Sequence, residues 1–503
     1  MTINQRKPVW AGRIKGQPDP TNLAYCAGRD VVSRPMADAA LVPYDIWLNQ
    51  AHALMLHQQK IINKKTHTTI QTGLRRIQRE HDLGRFSLDP NLEDVHMNIE
   101  CYLTEHYGGE IGGVLHTARS RNDQSATDVR LYLRWHCLQL QLSTHELVDT
   151  ILKRAEDSVR ALMPGFSHTQ PASLSSFAHY LCHYAQALLR DIQRLQNSYQ
   201  LMNQSPLGAA AGFGTSWPIQ RQSTARWLAF DSIQENTLDC ISSRWEMEAQ
   251  LVTSASFLCV HLSGIAQDLI MFSSNSMGFL RLPDEFVTGS SIMPQKRNPD
   301  FAEVTRAKAA MIQGAVTTLF AIAKGALSGY NRDSQWTKYV AMDALEEIRE
   351  APYIFNQVIA KLELFPKRMT EEAERNFVIA IDLADHLALE YEISFRQAYE
   401  LVAEMVRDSE NEGCFQFEMY RQALKRKGLP LKLTEKRWQQ QMSPERLLGR
   451  RKTFGGPAPS AVRETIDNLR DDLSKYRRWS RRQIERLDQA RSNLRQNIEK
   501  AIK

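Results

Sequence analysis

Gly289-Ser290-Ser291-Ile292-Met293-Pro294-Gln295-Lys296-Arg297-Asn298-Pro299-Asp300 is the stretch on which the fold turns. Pro294 and Pro299 forbid a regular helix through it, and Gly289 permits a backbone that other residues resist. The segment therefore reads as a loop leading into a helix that starts near Pro299, where proline suits the first turn. Around it, from about 126 to 365, the pattern is helical throughout. Five long segments stand out, at about 126–160, 176–203, 245–275, 300–327 and 337–363. Apolar residues recur at three- and four-residue steps, as in Leu131, Leu133, Leu138, Leu142 and Leu147. Prolines fall in the connections. Helices this long imply a bundle, so the expected fold class is mainly α with a central long-helix bundle. A loop that gathers Ser, Lys and Asn beside such a bundle is a natural place for chemistry.

Composition narrows the classes. The chain has 503 residues, enough for roughly two to four domains. Its 43% apolar content allows a large core. No run of about 18 uncharged apolar residues is present, so no membrane span is expected. Met1 to Pro8 lack the apolar centre of a signal peptide. The seven cysteines are scattered, without a Cys-x-x-Cys pair, which fits reduced thiols in the cytoplasm and not a disulfide frame or zinc site.

The 289–299 string resembles the signature of the fumarase/aspartase superfamily, G-S-S-x-M-P-x-K-x-N-P, and meets every specified position. His116-Thr117-Ala118-Arg119-Ser120-Arg121-Asn122-Asp123-Gln124-Ser125-Ala126-Thr127-Asp128 closely resembles the H-T-G-R-S-R-N-D-Q-x-A-T-D motif of the argininosuccinate lyase branch, with Ala118 for the glycine. Taken by itself, Ser-Arg-Asn before a helix offers hydroxyl, guanidinium, amide and free backbone N–H groups to an anion. Shorter matches are spread along residues 8–470. Pro8-Val9-Trp10-Ala11-Gly12-Arg13 is similar to W-G-G-R-F, Asn91–Glu100 to the E-D-I-H segment, and Met163–Ala172 to P-G-Y-T-H-x-Q. Ser205–Thr215 is similar to a small-residue string, Tyr330–Lys338 to Y-N-K-D-x-Q-x-x-K, and Ala380–Asp385 to A-T-D-L-A-D.

The resemblance implies a three-domain fold with a homotetrameric helical core, in which motifs from separate subunits meet. The expected division is 1–115, 116–365 and 366–473, with a basic helical extension at 474–503. It implies elimination of an amine from an N-substituted aspartate to give fumarate, in the cytoplasm, on a small-molecule substrate, with no metal, organic cofactor, membrane or nucleic acid. Ser290 would remove the Cβ proton. Lys296 and Asn298 would hold the aci-carboxylate intermediate, because charge building on a carboxylate needs donors already in place. His168, paired with Glu303, would assist proton transfer to the nitrogen. Ser120, Arg121, Asn122, Ser167, Ser291, Met293, Tyr330, Gln335 and Lys338 would bind substrate.

Departures from the family pattern cluster where the amine is expected. Ala27, Gly28, Arg29 and Asp30 stand where a serine is usual. Arg244-Trp245-Glu246 replaces D-R-D, and Trp336 and Thr337 replace two acidic residues. A polar site left without its partner rejects a substrate strongly. The amine released is therefore open, and one bearing its own carboxylate is attractive. An inactive, crystallin-like protein and an adenylosuccinate lyase-like enzyme are the alternatives. The tail from Ser474 carries ten basic residues against three acidic ones, with Ile484, Leu487, Leu494 and Ile498 on one helical side. That side is expected to dock on the body.

Overall fold

A computed structural model of the chain describes residues 19–27, 36–409 and 412–503. The Trp10 segment and Gly28, Arg29 and Asp30 lie outside the described residues. The elements that position the site are α1 (Val42–Gln58), α2 (Lys64–Asp82), α3 (Val95–Tyr107), α4 (Arg121–Asp157), the strands β1 (Leu162–Ser167) and β2 (Gln170–Ser176), α5 (Phe177–Met202), α6 (Arg244–Ser273), α7 (Asp300–Ala323), α8 (Asp333–Ile348), α9 (Ala351–Lys361) and α10 (Pro459–Ile502).

The bundle is built where the periodicity places it. α6 packs against α7, α5 and α8, and α4 against α5, α9 and α10. Leu133, Leu138 and Leu147 of α4, Leu188 and Ile192 of α5, and Leu258 and Leu262 of α6 are fully buried. Each such side chain contributes about 2 kcal/mol by leaving water. The fifth expected segment is two helices, broken at Arg349–Glu350. Pro352 explains the break, since it has no N–H to donate to Ile348 four residues earlier.

The helical expectation for 126–365 misses a hairpin. β1 and β2 pair antiparallel, with Ser167 opposite Gln170. The two-residue turn between them is His168-Thr169, with φ of 53° and 62°. Left-handed backbone at both positions matches the twist of the flanking strands. Pro164 and Pro171 remove backbone donors a helix would need.

A second core is made by Leu383, Leu387, Leu401, Met405, Tyr420, Leu424 and Trp438. A small cluster of Leu162, Leu174, Ala373, Val378, Leu447 and Leu448 joins the base of the hairpin to the helices around this core. α10 then returns to the main body. It has 44 residues and spans about 66 Å. Val462, Ile466, Leu469 and Leu473, and beyond them Leu487, Leu494 and Ile498, are buried in the same core as α4 and α5. The helix runs unbroken through the expected boundary at 473/474, so the extension is the second half of a core helix. Its apolar side docks on the body, with Ile484 partly buried.

α6 is the one described helix long and apolar enough to cross a membrane, with a mean hydropathy of 1.4 over its most apolar part. In the fold it is the middle of the bundle. Within one chain its outer face still leaves Phe257 and Val260 exposed, as α7 leaves Met311 and Phe320.

Candidate active site

The loop between Thr288 and Asn298 is rooted at its base and open at its tip. Thr288 and Asn298 exchange backbone hydrogen bonds, at 3.1 Å and 2.7 Å. The Asn298 amide donates to Thr288 Oγ1 and to the Gly289 carbonyl, both at 3.3 Å, so its donors are engaged within the loop. Arg297 clamps one side, ion-paired with Asp284 at 2.6 Å and donating to the Leu282 carbonyl at 2.8 Å. Ser291, Met293 and Lys296 lie exposed on the tip, and Lys296 makes no side-chain contact among the described residues. Ser290 is half-buried, and its Oγ accepts the backbone N–H groups of Ile292 at 3.3 Å and Met293 at 3.1 Å. Two amide donors aimed at a hydroxyl oxygen favour its alkoxide, as an oxyanion hole does.

The second motif splits into a scaffold and a presented edge. Ser120 is the N-cap of α4: its Oγ accepts from Asn122 N, and Asp123 completes a capping box. Asp123 uses one carboxyl oxygen for Ser120 N and the other for Gly208 N and Ala210 N, each of the latter at 2.9 Å. That wraps the small-residue string 205–215 around the helix start. Gly208 allows the close approach, since a Cβ there would sit 2.7 Å from Arg221. Arg119 is fixed by Asn49 at 2.6 Å and by the Leu115 carbonyl at 2.7 Å. Arg121 and Asn122 are left at the edge, and Arg121 faces Glu93 and Asp94 at 3.5 Å each. Ala118 occupies left-handed backbone, φ 63°, at the position where the motif has glycine.

Beneath this edge lies a buried polar stripe that the motifs do not announce. Asp45, Asn49 and His52 follow one face of α1. Asn49 bridges Asp45, at 2.7 Å, to Arg119, and His52 meets the Thr117 carbonyl at 2.9 Å. His96 Nδ1 lies 2.8 Å from Asp45 and 3.5 Å from Asp128. Burial drives the Asp128 carboxyl well above the usual carboxylate range, and the charge of Asp45 adds to this. Burial also pushes on Asp45, but His96 and a hydrogen bond from Asp128 hold it below that range. Asp45, His96 and Asp128 lie close enough to share a cation, and the nearby Arg119 guanidinium already sets a positive charge against Asp45. Polar residues at four- and three-residue steps in an otherwise apolar helix were the available signal.

The third group lies at α8. The Tyr330 hydroxyl is 3.5 Å from Gln335, which donates to Tyr339 at 3.2 Å. Lys338 is buried, bonded to Asp38, and Asp38 also accepts the N–H of Val95 at the start of α3. Arg244 is buried below Tyr330, its Cζ 5.7 Å from the ring centre, and it donates to Ser125 at 2.8 Å. Among the described residues its Nε has no hydrogen-bond partner, nor does Oε2 of buried Glu248 one turn along. Burial pushes the Glu248 carboxyl up to about 7, against the opposing pull of Thr337 and Arg244.

His168 and Ser167 are exposed on the hairpin turn, and Glu303 is exposed on the first turn of α7. Among the described residues no hydrogen bond or ion pair joins His168 to Glu303, and none joins His168, Ser290 and Asn122. The hairpin packs on helices 366–373 and 444–450 and, through β2, on α5. A cavity of about 940 Å³ is lined by Tyr44, Tyr132, His136 and Glu346 among others and includes none of the expected site residues. Among the described residues, neither a hydrogen bond, an ion pair nor this cavity joins Ser290, Asn122 and His168.

Comparisons with known proteins agree with the motifs. A lyase family model matches residues 34–314, and a model of the argininosuccinate lyase C-terminal region matches 377–448. The chain is 37% identical to the argininosuccinate lyase of Thermus thermophilus over 92% of its length and 98% of that protein. It is 39% identical to that of Nitrosomonas eutropha, over 94% and 100%. Among solved structures, EDDS lyase in complex with formate superimposes with a TM-score of 0.89 at 25% identity, covering 99% of both chains. A class II fumarase from Schistosoma mansoni, 16% identical, shares the fold with a TM-score of 0.68, covering 84% of this chain and 94% of its own.

Proposed function

Because this chain belongs to the argininosuccinate lyase family, we propose that the Ser290 loop carries out the chemistry of its carbon–nitrogen lyase activity. The enzyme cleaves the carbon–nitrogen bond of an N-substituted aspartate and forms fumarate. Ser290, as alkoxide, takes the Cβ proton. The electron pair moves into the adjacent carboxylate, giving an aci-carboxylate beside the Lys296 ammonium. Its collapse forms the double bond of fumarate and expels the nitrogen with its bonding pair. His168, oriented by Glu303, protonates that nitrogen. Ser120, Arg121, Asn122, Tyr330 and Gln335 hold the carboxylates and the amine. Asn298 acts first as the root of the loop, and Lys338 as a support of the α3–α8 contact. The scheme needs no metal or organic cofactor, and we place it in the cytoplasm, in keeping with seven free thiols.

The observation that carries this reading is the pair of backbone N–H groups on Ser290 Oγ. A serine is a poor base unless its alkoxide is stabilised.

His168, Ser290 and Asn122 are not bonded to one another among the described residues of one chain, which is in keeping with a site assembled from several copies in a homotetramer. The exposed apolar faces of α6 and α7 are the surfaces for that assembly. Light scattering gives the mass. Mixing inactive S290A and H168A chains then tests the sharing: recovered activity is expected, since some sites in a mixed oligomer draw only intact residues. No recovery from a mixed tetramer would refute it.

For the amine, the charge at the site favours a group bearing its own carboxylate. Arg244 is a buried cation with an unused donor, and Trp336 and Thr337 bring no negative charge. Fumarate release is to be measured with argininosuccinate, with EDDS and with other N-substituted aspartates. Release from EDDS but not from argininosuccinate is the expected result, and a preference for argininosuccinate would overturn this assignment of the amine.

A further inference from the structure

Along most of its length α10 docks by complementary charge. Arg470 meets Glu156, Arg477 meets Glu146 and Asp149, and Arg486 meets Asp231. Near the end of the helix the pattern reverses. Arg491 and Arg495 face Arg75 and Arg79 of α2 across a cavity of about 570 Å³. Trp47 and Gln50 of α1, Gln78 of α2, and Leu494 and Ile498 of α10 complete its walls, and no acidic side chain lines it.

Among the described residues, Arg75, Arg79 and Arg491 have no ion-pair partner, and Arg495 meets only Glu499, one turn along its own helix. The Arg491 guanidinium lies over the Trp47 ring at 4.5 Å, and that ring is pinned by its bond to the Trp227 carbonyl. Four guanidinium groups of like sign across one gap repel one another, and a concave wall concentrates their field. Planar guanidinium forks match the oxygens of carboxylates and phosphates. The cavity has the size of an ordinary small-ligand site.

We propose that this cavity binds a compact multivalent oxyanion, a polyphosphate or polycarboxylate, that bridges α2 to the C-terminal helix. The anion supplies the negative charge that the rest of the α10 interface takes from Asp and Glu. The proposal does not depend on the lyase chemistry, because none of these residues belongs to the Ser290, Asn122 or His168 groups.

The test is calorimetric titration of the full-length protein with pyrophosphate and, separately, citrate, at fixed ionic strength set with sodium chloride. Binding of at least one is expected, and which one binds identifies the oxyanion class. R75Q/R79Q should weaken it by about tenfold or more, since two of four charged forks are lost. R76Q removes one charge just outside the cavity and should change affinity less than about twofold. Without anion, R75Q/R79Q should melt no lower than wild type, because repulsion is relieved. No binding of either anion, equal binding to R75Q/R79Q, or a lower anion-free melting temperature in that variant would each overturn the proposal.

Discussion

Ser290 Oγ accepts the backbone N–H of Met293 at 3.1 Å, three residues along the same loop. The contact closes the loop tip on itself and places a donor at the oxygen that must carry charge. S290A should lower turnover by roughly 10²–10⁴-fold, the usual worth of a positioned base. Melting temperature should stay unchanged, since among the described residues the hydroxyl makes no hydrogen bond beyond its loop. Fumarate absorbance and scanning calorimetry read the two quantities, and retained turnover would remove Ser290 as the base.

Ala118 adopts φ 63°, where its Cβ crowds the following carbonyl. Ala118→Gly should stabilise the protein by about 1 kcal/mol, the reverse of the usual cost of glycine. Urea unfolding of the two proteins gives the difference directly. A destabilised variant would mean that the backbone at this position is not strained.

Burial and the charge of Asp45 push the Asp128 carboxyl up, whereas His96 holds Asp45 down, in a site sealed from water. Asp128→Asn keeps a donor toward Asp45 and should leave stability at neutral pH unchanged or higher. Asp45→Asn removes the buried charge and leaves one acceptor oxygen where His96 and Asn49 used two, and should cost about 3 kcal/mol or more. It should also raise KM, because Arg119 loses the Asn49 orientation beside the presented edge. Reversed effects of the two substitutions would place the charge on the other residue.

The Glu248 carboxyl is raised by burial from 4.5 to about 7. The folded protein holds this proton more tightly than the unfolded chain does. The stability it contributes is therefore complete below about pH 4.5 and is lost as pH rises through 7. The full difference is about 3 kcal/mol. Glu248→Gln should remove that slope, so the variant gains relative to wild type between pH 5 and pH 8. Denaturant unfolding at both values checks it, and parallel curves would contradict a buried, titrating Glu248.

The bundle was legible because leucine spacing along α4 and its neighbours reports a single buried face. The motif strings were legible as strings, but not as divided labour. Asp123 and Asp128 read like the rest of the 116–128 motif, yet they are buried scaffold, while Arg121 and Asn122 form the edge. The hairpin escaped because a two-residue His-Thr turn lacks the usual Asn-Gly sign, and its strands are short and proline-bearing. The break at Arg349 could have been inferred from Pro352. The Asp45–Asn49–His52 stripe depends on contacts about 65 residues away in the chain, which spacing on α1 alone does not reveal.

The hairpin is seated on residues from either side of the second core, Ala373 and Val378 before it, Leu447 and Leu448 after it. The hairpin that carries His168 thus bridges the 366–450 module and the bundle, in whose core Met163 is buried and Phe166 packs near Phe272, whereas the Ser290 loop leads into α7. A lever of this kind makes the distance between proton donor and proton acceptor adjustable from afar. Any substitution that tilts the module, even one remote from both groups, would register first as a change in turnover and only later as a loss of folding.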